Sequence, residues 1–332
     1  MKANDYVKSH KIAVEISEKC RFSRHDRLFG EHFPVQDPES IVKLVSIGAR
    51  LTRDACCSAN SVTGLDLSGL DVEDDTLRLL DSLPGLRSLK LQDCLITDDG
   101  LPVIGRLRTL EILDLSGAIL SDDGLELLAD LTQLQTLSLS EIDINGSGLA
   151  ALESLKRLRE LDLSMTQFDD DNHKNLAAFH DLRILNLLGT EIGDTTLKTI
   201  GRLPLLEVLI LVGTKITSGG LKALSLSESL TELYLAQTLV GDEGLAYLVN
   251  CSNLRYLHLD GTKITDQGLR NLRNVENLET IYMRSTAITD VGLLYLAGHG
   301  RLRSVIAMDT SVTQRGKWEL EHMTPSVTVT LE

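Results

Sequence analysis

Residues 254–277 read LRYLHLDGTKITDQGLRNLRNVEN. Leu254, Leu257 and Leu259 open the stretch as L-x-x-L-x-L, and Thr262, Ile264, Thr265, Asp266, Gly268 and Leu269 follow. A step of 24 residues in either direction lands on the same residue types. One column holds Leu67, Leu91, Leu115, Leu139, Leu163, Leu187, Leu211, Leu235, Leu259 and Met283; a second runs from Leu65 through Leu257 to Ile281, Val305 and Val329. A third runs from Leu77 to Leu293, broken only by His173, and no gap is needed from residue 62 to residue 331. Composition alone cannot phase three columns over that length. A period of this size signals a solenoid, in which each unit buries its apolar side against its neighbours.

The chemistry of one unit follows from the spacing. Side chains alternate along Leu257-His258-Leu259 as in a short strand, with the leucines inward. Ile264 covers the bend. Leu269 and Leu272, three apart, mark a helical turn, and Asp266 at its start is placed to accept backbone N–H groups. Stacking removes the leucines from water at about 25 cal/mol per Å² of apolar surface.

The pattern resembles the leucine-rich repeat, L-x-x-L-x-L-x-x-N/C-x-L, with Thr262 and its column mates where Asn or Cys is usual and Cys94 supplying the cysteine form. The I-T-D-x-G-L run of residues 264–269 recurs at 96–101 and 288–293. It is similar to the cysteine-containing class found in F-box substrate receptors and many bacterial repeat proteins. No F-box is recognisable. The resemblance implies an α/β fold: a right-handed leucine-rich-repeat solenoid (horseshoe) with a parallel concave β-sheet and short helices on the convex side. It says little of function, because its motif residues are structural.

Four segments are expected. Residues 1–37 form an N-terminal arm, with Phe22, Phe29, Phe33 and the basic group Lys19, Arg21, Arg24 and Arg27. Residues 38–61 form a cap: a helix over 38–48 with Ser40 as its cap and Ile41, Leu44, Val45 and Ile47 as its apolar face, then a strand over 49–53. Residues 62–313 are repeats, and 314–332 a C-terminal cap with Trp318 in its core and a last strand over 326–331.

The chain has 332 residues and a formal net charge of −15. Residues 1–60 hold 10 Lys+Arg against 8 Asp+Glu, leaving −17 on the rest. Such acidity disfavours nucleic acid, whose phosphates require Lys and Arg. The five cysteines, Cys20, Cys56, Cys57, Cys94 and Cys251, contain no C-x-x-C and fit a reducing compartment. No run suits a signal peptide or a membrane span, so a cytoplasmic protein is expected. Asp169, Asp170, Asp171 and His173 read as a solvated helix start rather than converging metal ligands. No metal or cofactor is expected.

Function has to lie on positions that the repeat leaves free, chiefly the outward strand columns of Tyr256, His258 and Asp260. The early rows of this face are small, polar and acidic, with Asp114, Glu160 and Asp162. The later rows are apolar and aromatic, with Leu188, Ile210, Val212, Tyr234, Tyr256 and Tyr282 beside His258, Asp260 and Arg284. Three of the six tyrosines in the chain are here. An apolar and aromatic surface marks an interaction site, and Tyr and Arg are enriched at binding hot spots. The expectation is a non-catalytic module that binds a protein or peptide. Tyr234, Tyr256 and Tyr282 would be anchors, His258, Asp260 and Arg284 orienting contacts, and Asp114, Glu160 and Asp162 would steer a basic partner. Strand propensity alone also places Val, Ile and Tyr on a sheet. A monomer is expected; the other readings are an adaptor or scaffold docking through residues 1–37, self-association through this face, and a hydrolase-type enzyme using His258 and Asp260 as a polarised base.

Overall fold

A computed structural model of the chain describes residues 37–53, 61–225 and 227–332. The arm expected at residues 1–37, apart from Asp37, and residues 54–60 of the expected cap lie outside the described residues, as do Cys20, Cys56 and Cys57.

The strand phase read from the leucines is the observed one. The described strands are β1 (Arg50–Arg53), β2 (Val62–Asp66), β3 (Ser88–Lys90), β4 (Ile112–Asp114), β5 (Thr136–Ser138), β6 (Glu160–Asp162) and β7 (Ile184–Asn186). They continue with β8 (Val208–Ile210), β9 (Glu232–Tyr234), β10 (Tyr256–His258), β11 (Thr280–Tyr282), β12 (Ser304–Ile306) and β13 (Thr328–Thr330). The thirteen described strands form one sheet in chain order. β1 lies antiparallel to β2, and every later pair is parallel. The register is one whole repeat, so His258 is flanked by Tyr234 and Tyr282, and Leu257 by Leu233 and Ile281. The leucines of successive coils form a continuous core in which Leu257, Leu259, Ile264, Leu269 and Leu272 are all fully buried.

The segments between strands are short α and 3-10 turns, such as Asp266–Leu272 and Ala246–Asn250. Among the described residues no helix is long and apolar enough to cross a membrane.

Two polar devices recur along the coils, one within each coil and one between neighbours. Thr262 turns its hydroxyl onto the Leu259 carbonyl at 2.7 Å, and Thr166, Thr190, Thr214, Thr238 and Thr286 repeat the bond in their own coils. This satisfies a carbonyl where the tight bend leaves no strand partner. The second device joins neighbours. Asp242 accepts from the backbone N–H of Thr265 at 2.7 Å and from its hydroxyl at 2.7 Å. Asp74–Thr97, Asp194–Thr217, Asp266–Thr289 and Asp290–Thr313 do the same, and Asp98 reaches Ser121.

Asp266 therefore does not cap its own helix, as its position at the helix start suggested. Its carboxylate serves the next coil. The cap is Thr265, whose hydroxyl donates to Asp242 and accepts from the Gln267 N–H at 3.3 Å. The carboxylate also explains the glycine of the following coil. A Cβ on Gly268 would lie 2.5 Å from Asp242 Oδ1, and the same clash recurs at Gly292 and Gly316.

At the N-terminal end the helix Pro38–Ser46 is capped by Asp37, which accepts from the backbone of Glu39 and Ser40 and from the Ser40 hydroxyl. Ser40 is thus a donor to the cap and not the cap itself. Only Leu44 of the expected apolar face is buried; Ile41 is partly covered, and Val45 and Ile47 are exposed. At the other end the helix Gln314–Met323 buries Gly316 and Leu320. Trp318, expected in the core, is 63% exposed and stacks on His322 at 5.1 Å. It lies two residues from both buried positions, so it points away from the last coil.

Candidate protein-binding face

The outward side chains of β7 to β12 stand in three columns set by the one-repeat register. Strand stacking brings equivalent residues to about 4.8 Å, close enough for each side chain to cover its neighbours. Val208, Ile210, Val212 and Ile306 are buried. They form an apolar floor, and Leu188 at its margin is half-buried.

The three tyrosines differ sharply. Tyr234 is only 7% exposed, and its hydroxyl donates to Glu232 Oε2 at 2.7 Å. Burial, then the Glu232 charge, push its phenol well above the usual range. Tyr256 heads its strand and is 38% exposed, and Tyr282 is half-buried. Tyr256 and Tyr282 are therefore the aromatic groups that a partner can reach, while Tyr234 belongs to the floor.

His258 and Asp260 are also not where an open sheet face would put them. They are 2% and 4% exposed. The His258 ring lies between Tyr234, at 5.9 Å and edge-on, and Tyr282, at 4.8 Å. His258 Nε2 is 2.9 Å from Asp260 Oδ2. Asp260 Oδ1 accepts from the Arg284 backbone N–H at 2.8 Å, and Arg284 Nε lies 4.0 Å from Oδ2. Instead of orienting contacts at the surface, this pair forms a support beneath Tyr282 and Arg284. The Arg284 side chain is 43% exposed.

The early half is a hydrogen-bonded polar surface. Asp114 Oδ1 accepts from the Ser116 N–H and hydroxyl, and Ser116 Oγ meets Ser138 Oγ at 2.8 Å. Asp162 accepts from the Ser164 N–H and hydroxyl and from Asn186 Nδ2. Burial raises the Asp162 carboxyl above the ordinary range, although these bonds pull the other way. Thr136 donates to Glu160 at 3.4 Å. Asp66, in the first row, pairs with Arg50 at 2.8 Å.

The acidic run at 169–171 is engaged otherwise. Asp170 accepts from the N–H groups of Gly193 and Thr196 and from the Thr196 hydroxyl, and His173 Nδ1 meets Thr199 Oγ1 at 2.7 Å. Desolvation works against the Asp170 charge, yet these bonds outweigh it and lower the carboxyl.

Sequence reasoning missed Glu232. It is two residues from Tyr234 on the same strand face, a spacing that could have flagged the bond.

The repeat geometry has a counterpart in known families. A leucine-rich-repeat family model matches residues 106–129 and 250–272. The chain carries leucine-rich repeats and has their fold. It is similar to an internalin of Listeria monocytogenes, with a TM-score of 0.53 at 18% identity over 82% of this chain and 90% of that one. A second Listeria monocytogenes internalin gives 0.45 at 23% identity over 66% and 80%. A leucine-rich repeat protein of Leptospira interrogans gives 0.43 at 17% over 76% and 80%. At these identities the likeness is one of fold, and it rests on the first of the three. No curated protein matches the chain by sequence.

Proposed function

We propose that the repeats are a non-catalytic protein- or peptide-binding module whose contact surface is the later half of the sheet face. The observation that carries this reading is Tyr256, exposed on β10, with Tyr282 and the partly exposed Arg284 on the next coil of the same face, beyond the apolar residues of β8. Tyrosine and arginine are among the side chains that dominate binding energy at interfaces, and here they share one face with an apolar stretch. Tyr234, His258 and Asp260 hold this set in place from below. Asp114, Glu160 and Asp162 favour a partner with a basic portion.

The reading fits the cytoplasm, where buried free thiols such as Cys94 and Cys251 persist. The hydrolase-type reading has its His–Asp contact, but the His258 ring packs against Tyr234 and Tyr282 and both side chains are buried, which disfavours proton exchange with a substrate.

The test is affinity capture with the wild type and with Tyr256→Ser/Tyr282→Ser, after matched thermal melts. A protein captured by the wild type, lost by the folded variant and bound directly when purified supports the reading. Identical captures by both count against it.

A further inference from the structure

The sheet face places two different chemistries at a fixed distance. Asp114 on β4 and Asp162 on β6 stand in the same column, with Ser138 of β5 between them. Their column continues through Ile210 to the floor, and Tyr256 stands in the adjoining column on β10. Among the described residues the two carboxylates accept only neutral donors, from serine and asparagine. Neither takes part in an ion pair among the described residues. Burial raises the Asp162 carboxyl, Ser164 and Asn186 offset part of that, and the Asp114 charge adds to the rise. An arriving cation would relieve the repulsion.

The partner's chemistry follows from complementarity: apolar or aromatic over Tyr256, and cationic over Asp114 and Asp162. The distance sets its shape. Four strand spacings separate β6 from β10, roughly 19 Å, and five separate β5 from β10, roughly 24 Å. An extended chain covers that in about six or seven residues at ~3.3 Å each.

Resting on the binding reading above, we propose that this face takes an extended polypeptide segment carrying a Lys or Arg about six or seven residues from a large apolar or aromatic side chain. The backbone of the segment crosses the strands over Ile210 and Val212. The cation sits between Asp114 and Asp162, and the apolar group rests against Tyr256 and Tyr282.

The test is selection of a random 12-residue peptide library, displayed on phage, against the full chain. The consensus peptide is then synthesised with its Lys or Arg and with norleucine in its place. Enrichment of a basic residue at the stated spacing supports the proposal. So does a loss of about tenfold in affinity for the norleucine peptide, matched by Asp114→Asn/Asp162→Asn acting on the basic peptide alone. Tyr256→Ser should weaken both peptides. Peptides that need Tyr256 but show no basic preference, or no fixed spacing, overturn the proposal and leave the binding reading standing. Peptides indifferent to Tyr256→Ser overturn both. The norleucine arm uses unaltered protein, so a folding defect in the Asp variant cannot decide the outcome.

Discussion

Tyr256 and Tyr234 show how far a single position departs from its column. Both are outward residues of adjacent strands, yet one is an accessible anchor and the other a buried floor residue bonded to Glu232. Alternation along a strand gives the direction of a side chain. It does not give the cover supplied by neighbours one repeat away, so the burial of Tyr234, His258 and Asp260 was not legible in the sequence. Asp162 carries a consequence in pH. Its folded carboxyl is raised, so its charge destabilises the fold. The penalty is absent below the unfolded carboxylate value of about 3.9 and complete above the folded value. Asp162→Asn is expected to gain stability relative to wild type as pH rises from 3.5 to 7, read by thermal melts across that range. A difference that shrinks with rising pH would contradict the assignment.

At the scale of the element, the coil is defined by bonds that reach across to its neighbour. The I-T-D-x-G-L run was legible as a motif, but its local reading as a self-capped helix start was wrong. Helix-cap rules weigh only residues near in sequence, whereas Thr265 bonds Asp242, 23 residues earlier. The glycine of the motif is needed for the same reason. Gly268→Ala would drive a methyl group into Asp242, and a cost of about 1–3 kcal/mol is expected from overpacking, checked by urea unfolding. An unchanged midpoint would mean that the carboxylate is not held there.

The last strand has its own device. Among the described residues β13 pairs only with β12. Glu321 reaches from the preceding helix to accept the Val329 N–H at 2.8 Å. This blunts an edge that would otherwise be open to pairing with another chain. Glu321→Ala is expected to cost about 1.5–3 kcal/mol, the range for a bond to a charged group. It should also introduce concentration-dependent association by sedimentation velocity. A variant that stays as stable and as dispersed as wild type would show that the bond does not matter.

Over the whole molecule, the period carried almost all of the fold. Strand phase, parallel order and inward leucines were readable because each coil repeats one pattern, and a pattern repeated so often is hard to misread. The caps were less legible, because each occurs once. Trp318 was assigned to the core on size and apolarity, and its exposure follows from the facing of the last helix, which no column predicts. The candidate site was readable as a zone but not residue by residue. Binding at the later half of the sheet face is the central claim. Its most direct test is an equilibrium titration of a directly binding partner or selected peptide against wild type and the folded Tyr256→Ser/Tyr282→Ser variant. A loss of at least about tenfold, the size of a hot-spot truncation, is predicted. Equal affinities for the two proteins would contradict it.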